Sequence, residues 1–75
     1  MHFFHWTDET IEKLAQHDVT PAEFEAAFEA GEDIENRGRH DARIGYDSRG
    51  RLLFCVHQNL NGTDIVPITA FEIEQ

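Results

Sequence analysis

The chain has 75 residues, 40% of them hydrophobic, with six Phe, one Trp and one Tyr and a net charge of −9. That is room for one domain with one small core, and the composition excludes a disordered chain. Cys55 is the only cysteine, which excludes an intrachain disulfide and a cysteine-based zinc site, and no stretch is long and apolar enough to span a membrane.

His2-Phe3-Phe4-His5-Trp6 is too short and too polar-flanked for a signal peptide, so a cytoplasmic location is expected by default. The segment from Met1 to Trp6 reads as a first strand. Thr7 then has the character of a helix N-cap, with Asp8 and Glu9 favouring the positive helix end. Ile11, Leu14 and Ala15 recur at helical spacing, Glu9 and Lys13 form an i, i+4 pair, and the helix is expected to end near His17-Asp18. A second helix follows with a stronger signature. Thr20 is its N-cap, Pro21 its first residue, Glu23 completes a capping box, and Gly31 is the expected stop. Phe24, Ala27 and Phe28 form its buried stripe, while Glu25, Glu29 and Glu32 make an acidic one.

Beyond Glu32 the pattern turns to strands. Ile34 is a lone apolar residue, which predicts a weak edge strand. Arg39 to Tyr46 and Arg51 to Leu60 flank the turn Asp47-Ser48-Arg49-Gly50, and Asn61-Gly62 predicts a two-residue hairpin turn into Thr63 to Ile73. Pro67 in that last run marks an edge strand or a bulge. The expected fold is a single α+β domain over residues 1–75, ordered β-α-α-β-β-β, with two N-terminal helices packed on a small antiparallel sheet.

Charge is distributed unevenly along this scheme. Through Glu35 there are ten carboxylates against Lys13 alone, whereas all five arginines lie between Arg37 and Arg51 with only Asp41 and Asp47 among them. A type I turn with Gly50 left-handed makes a three-residue loop and sets Asp47 opposite Arg51. One face then carries Ala42, Ile44, Tyr46, Leu52, Phe54 and Val56, an apolar core face. The other gathers Arg39, Asp41 and Arg43 beside Leu53, Cys55 and His57, with Val66, Ile68 and Ala70 continuing it as an apolar floor. Helices or a partner must cover part of that second face.

Arginines beside an imidazole suit phosphodiester chemistry, because guanidinium groups stabilise developing charge and histidine shuttles protons. Arg43 and Arg51 are the candidate phosphate-binding catalytic groups and His57 the candidate proton-transfer group. Arg37, Arg39, His40, Arg43, Arg49 and Arg51 form the candidate RNA-binding set. The competing reading is a solvated sheet edge whose arginines pair with Asp41, Asp47 or the acidic helices. No metal site or cofactor is expected: His2 and His5 point to opposite faces of a strand, His17 complements a helix C-terminus, and Cys55 packs as a small apolar residue.

Trp6-Thr7-Asp8, His17-Asp18-Val19-Thr20-Pro21-Ala22-Glu23, Ile44-Gly45 followed by Gly50-Arg51-Leu52-Leu53, and Ile68-Thr69-Ala70 occur in an order and spacing that resemble BrnT-like proteins. These are small toxins of type II toxin–antitoxin pairs with the RelE/ParE-like fold. The resemblance runs from Phe4 to about Glu72 and implies that fold, an antitoxin protein as partner, and RNA binding or metal-independent endoribonuclease activity. Asp18 stands where the family usually has glycine, and Val66 and Phe71 stand where it usually has arginine. The rival class is a noncatalytic protein-interaction module that kept the fold and lost the chemistry. A weakly covered sheet face also makes a homodimer an expected state to test.

Overall fold

The computed structural model describes residues 2–35 and 38–74. Strand β1 is Phe3–Phe4, helix α1 Asp8–Ala15, helix α2 Pro21–Ala30, and strands β2 to β5 are Glu32–Ile34, Asp41–Tyr46, Leu52–Asn59 and Asp64–Glu72. The domain is α+β, with two helices and one five-stranded mixed sheet in the order β1-β5-β4-β3-β2.

Both helix starts follow from the residues that cap them. The Thr7 hydroxyl accepts from the Thr10 amide at 3.1 Å, and Thr20 and Glu23 close a reciprocal capping box at 3.2 and 2.9 Å. Helix α1 stops at Ala15, short of His17, and the chain reverses through Asp18 at φ 59°, so that the Val19 amide reaches the Leu14 carbonyl at 3.1 Å. Aspartate is among the few side chains other than glycine that tolerate this left-handed position. Gly31 ends α2 for another reason. Its φ of −97° is extended, but a Cβ there would meet the Ile44 carbonyl oxygen at 2.3 Å, and one on Gly45 would meet the Ala27 carbonyl oxygen at 2.0 Å. Helix α2 and strand β3 touch backbone to backbone, which no side chain allows.

The sheet has one strand more than the sequence order predicts. Glu32–Ile34 pairs with Ile44, Arg43 and Ala42 as a true edge strand, so the order is β-α-α-β-β-β-β. Nor is the sheet wholly antiparallel. The helices carry the chain across one face to the far edge, and the β2–β5 meander returns to β1 with β5 running parallel to it, Phe3 beside Asp64 and Phe4 beside Ile65.

Between β3 and β4 the register agrees with the expected one, from Asp41 opposite His57 to Tyr46 opposite Leu52. Asp47 and Arg51 close the loop through a 2.9 Å bond, with Gly50 at φ 79°. The next hairpin differs. The Asn61 side-chain oxygen accepts from the Thr63 and Asp64 amides at 3.1 and 2.9 Å, and the Leu60 amide donates to the Asp64 carbonyl, making a three-residue loop instead of two. A bulge beside Pro67 then shifts the pairing once more, Val56 meeting Thr69 and His57 meeting Pro67. Ile65, Pro67 and Ala70 are consequently the buried residues of β5, and Val66 and Ile68 are not. Strand β5 is not a simple edge either, although β1 flanks it only at Asp64 and Ile65.

The core joins Leu14, Val19, Phe24, Ala27 and Phe28 to Leu53, Cys55, Ile65 and Ala70, with Phe4 and Trp6 packed at its margin. The helices therefore cover the face of Arg43, Leu53, Cys55 and His57. Ala42, Ile44, Tyr46, Leu52, Phe54 and Val56, expected as the core face, lie on the opposite side. The β5 bulge explains the reversal, since it completes an apolar floor of Leu53, Cys55, Ile65, Pro67 and Ala70 beneath the two phenylalanines. Burial of Phe24 and Phe28 contributes about 2–3 kcal/mol each.

Candidate functional site

Three of the arginines point into the contact between helices and sheet. The turn Asp47–Arg51 folds around the Asp47 carboxylate, whose side chain is fully buried and accepts from the Arg49 and Arg51 amides at 2.9 and 2.8 Å and from Arg51 Nε at 2.8 Å. Burial pushes the Asp47 carboxyl up, but these donors outweigh it and hold the group below its ordinary range. Arg51 continues outward: Nη1 donates to the Asp18 carbonyl at 2.9 Å, and Nη2 to Glu23 Oε1 at 3.1 Å. Arg49 reaches the same Asp18 carbonyl at 3.0 Å and the second Glu23 oxygen at 2.7 Å. Two guanidinium groups thus face three carboxylates, Asp18, Glu23 and Asp47. The Thr20 amide, then its hydroxyl and both arginines, hold the Glu23 carboxyl below its usual value against burial. The left-handed Asp18 presents its carbonyl to the hairpin and stitches the interhelical loop to the turn.

Arg43 serves the other end of α2. Its Nε donates to the Phe28 carbonyl at 2.6 Å and Nη2 to the Gly31 carbonyl at 2.8 Å, where the helix dipole is negative and its last carbonyls lack intrahelical partners. The guanidinium carbon stands 4.7 Å from the centre of the Phe28 ring, and Nη1 lies 3.4 Å from Asp33.

His57 is 1% exposed and packs edge-on against the same Phe28 ring at 4.7 Å. Burial pushes its pKa down, and its Nδ1 lies 3.4 Å from the Cys55 carbonyl. Cys55 is buried beside it, its thiol pushed up by burial to about 12. Arg39 is exposed and His40 partly buried, both at the other end of β3 from the turn. Arg37 lies outside the described residues. Of the expected set, Arg49 and Arg51 come together at the turn, and Arg43 and His57 share Phe28. Arg43, Arg51 and His57 do not converge on an accessible point: Arg51 ends among carboxylates and His57 under a phenyl ring.

Sequence reasoning passed over a second polar arrangement. Trp6 Nε1 donates to Glu25 at 2.8 Å, His2 Nδ1 binds Glu29, and His5 Nε2 lies 2.9 Å from Asp64. The acidic stripe of α2 therefore anchors the N-terminal segment. The only advance sign was the repeated interleaving of His and aromatic residues before Thr7.

A pocket of about 240 Å³ opens at the end of the sheet where β2, β3 and β4 meet, lined by Asp33, Ile34, Asp41, Ala42, His57 and Asn59. On the uncovered face, the cross-strand rows are Glu32-Ile44-Phe54-Phe71, Ile34-Ala42-Val56-Thr69 and Tyr46-Leu52. Phe54 and Phe71 stack at 5.2 Å, and Tyr46 and Phe71 are 55% and 40% exposed. Among the described residues no helix is long and apolar enough to cross a membrane. No family model matches the chain, and neither a curated protein nor a solved structure matches it.

Proposed function

We propose that the chain is a noncatalytic protein-interaction module with a BrnT-like, RelE/ParE-type fold, and that it binds a basic protein partner through the uncovered sheet face. One observation carries this reading: three of the five arginines, Arg43, Arg49 and Arg51, are spent on the protein's own carboxylates and carbonyls. Arg51 and Arg43 are mostly buried, each of their guanidinium nitrogens has a partner, and Arg49 is shared between Asp18 and Glu23. A phosphate would have to displace three carboxylates at the turn. The same geometry weighs against proton transfer by His57, which has no approach to a substrate from the turn cluster.

The partner's chemistry follows from the face itself. Its rows are apolar with aromatic residues at the centre, the one charge in them is Glu32, and the chain as a whole carries −9. An apolar strip flanked by lysine or arginine complements that surface, and the net charge would steer its approach. The same charge repels a second copy, so the free chain should sediment as a monomer. A small antitoxin-like protein is one partner of this kind.

The test pairs two titrations of folded, full-length protein. RNA at low salt should show no saturable binding, and a basic amphipathic peptide should bind and lose affinity in Phe54→Ser and Phe71→Ser. Saturable RNA binding that weakens steeply with salt, or growth arrest on expression in a bacterial host, would overturn the noncatalytic reading. Self-association lost in the same two variants would replace the basic partner by a second copy.

A further inference from the structure

We infer that the pocket at the end of the sheet, between Asp33, Asp41 and His57, is a receptor for the guanidinium group of an arginine side chain on a partner protein.

The Cys55 carbonyl oxygen, 3.4 Å from His57 Nδ1, can only accept, so the tautomer that bonds to it is the one with its proton on Nδ1. In a neutral imidazole the other nitrogen, Nε2, is then a lone-pair acceptor. His57 is 1% exposed and lines the pocket, yet Nε2 has no hydrogen-bond partner among the described residues. No fully enclosed side-chain nitrogen or oxygen among them lacks a partner, so Nε2 is not sealed from solvent, and the space His57 borders is the pocket. Burial under Phe28 keeps the ring neutral and the acceptor intact.

The walls are acceptors too. Asp41 pairs across the ladder with His57, and its exposed carboxylate has no ion-pair partner among the described residues. Asp33 lends one oxygen to Arg43 at a long 3.4 Å. The Asn59 side-chain oxygen is already held by the Gly62 amide at 2.6 Å. Two carboxylates and one lone-pair nitrogen therefore call for a cation with several N–H donors. A guanidinium offers five in a plane, and the volume is far above the ~15 Å³ that a single water needs. A metal ion is the poorer match, because no three His, Cys, Asp or Glu side chains among the described residues converge as ligands.

This inference rests on the reading of a basic protein partner and names one of its contacts. A small probe separates the two, since the pocket can fail while the sheet face still binds. The experiment is a heteronuclear NMR titration of the full chain with blocked arginine (N-acetylarginine methylamide), reading the His57 ring nitrogens and the Asp41 and Asn59 amides. A saturable shift centred on His57 Nε2 is expected, with affinity reduced at least tenfold in Asp41→Asn and unchanged in Glu12→Gln, an exposed α1 residue outside the pocket lining. Tetramethylammonium, a cation without N–H donors, should give only a linear drift. Equal responses to the two cations, or equal losses in the two variants, would mean bulk attraction by net charge and would overturn the site.

Discussion

The two faces of the sheet divide their chemistry against intuition. The covered face holds Arg43, Asp47, Arg51 and His57, and the uncovered face is nearly all apolar. Polar groups can lie inside because the helices bring their partners with them: Glu23 and the Asp18 carbonyl for the turn, the Phe28 and Gly31 carbonyls for Arg43. What decides the inside is not which face is more hydrophobic but which face the helices can approach. Gly31 and Gly45 allow that approach on one side only.

Substitutions on the two faces should separate most widely in stability. Phe28→Ala should cost about 3–5 kcal/mol in urea unfolding, since it empties the core and removes the ring beneath both His57 and Arg43. Phe54→Ala on the open face should cost about 1 kcal/mol or less. Similar losses would mean that the open face is packed in solution.

Next in size is the turn. Asp47→Ala leaves two amides and the Arg51 guanidinium without their buried acceptor and should cost about 2–4 kcal/mol. Arg39→Ala, at the other end of the same hairpin and exposed, should leave the urea midpoint within error.

Acid should act on the covered face in two stages. His57, facing Phe28, Cys55, Asp33, Asp41 and Arg43, has its pKa lowered from 6.5 by burial. The unfolded chain binds a proton there first, so stability begins to fall as the pH drops below about 6.5. Glu23, Glu29, Asp47 and Asp64 are lowered from 4.5 or 3.8, so their contribution is intact above those values and is lost as the pH falls through the folded ones. Thermal unfolding across pH 3–8 should show both stages, and His57→Gln should remove only the upper one.

The smallest effect is chemical. Cys55, its thiol at about 12 and buried, should react with a thiol reagent only through unfolding, its rate rising with urea. A cysteine placed at Phe71→Cys on the open face should react at once in native protein.

Much of the fold was legible in local chemistry. The two threonine caps, Gly50 and the apolar alternation were enough to place both helices and the β3–β4 register, because each depends on residues a few positions apart. The direction of the sheet was not legible. It turns on a bulge at Pro67, on an Asn61 side chain that replaces a two-residue turn by three, and on two glycines brought together from α2 and β3. The candidate site was legible in composition but not in geometry. Arg43, Arg49 and Arg51 lie on the β3–β4 hairpin as expected, whereas Arg39 falls before β3, and the partners Asp18, Glu23 and Gly31 are brought to the hairpin only by folding. The hairpin register set Asp41 beside His57, but nothing local added Asp33 to make them the lining of one pocket.

The parallel pairing of β1 with β5 sets an order of events. Phe3 and Phe4 find their partners in Asp64 and Ile65, almost the full length of the chain away, while every other strand pairs with its neighbour in sequence. Closing so long a loop costs the most entropy for the fewest bonds, so β1 should dock last and fray first. During synthesis the N-terminal strand must wait until β5 has left the ribosome. In the folded chain the Trp6–Glu25 and His2–Glu29 bonds, with Phe4 and Trp6 packed on Phe24, also hold this segment on α2, so fraying of the β1–β5 pairing need not release it.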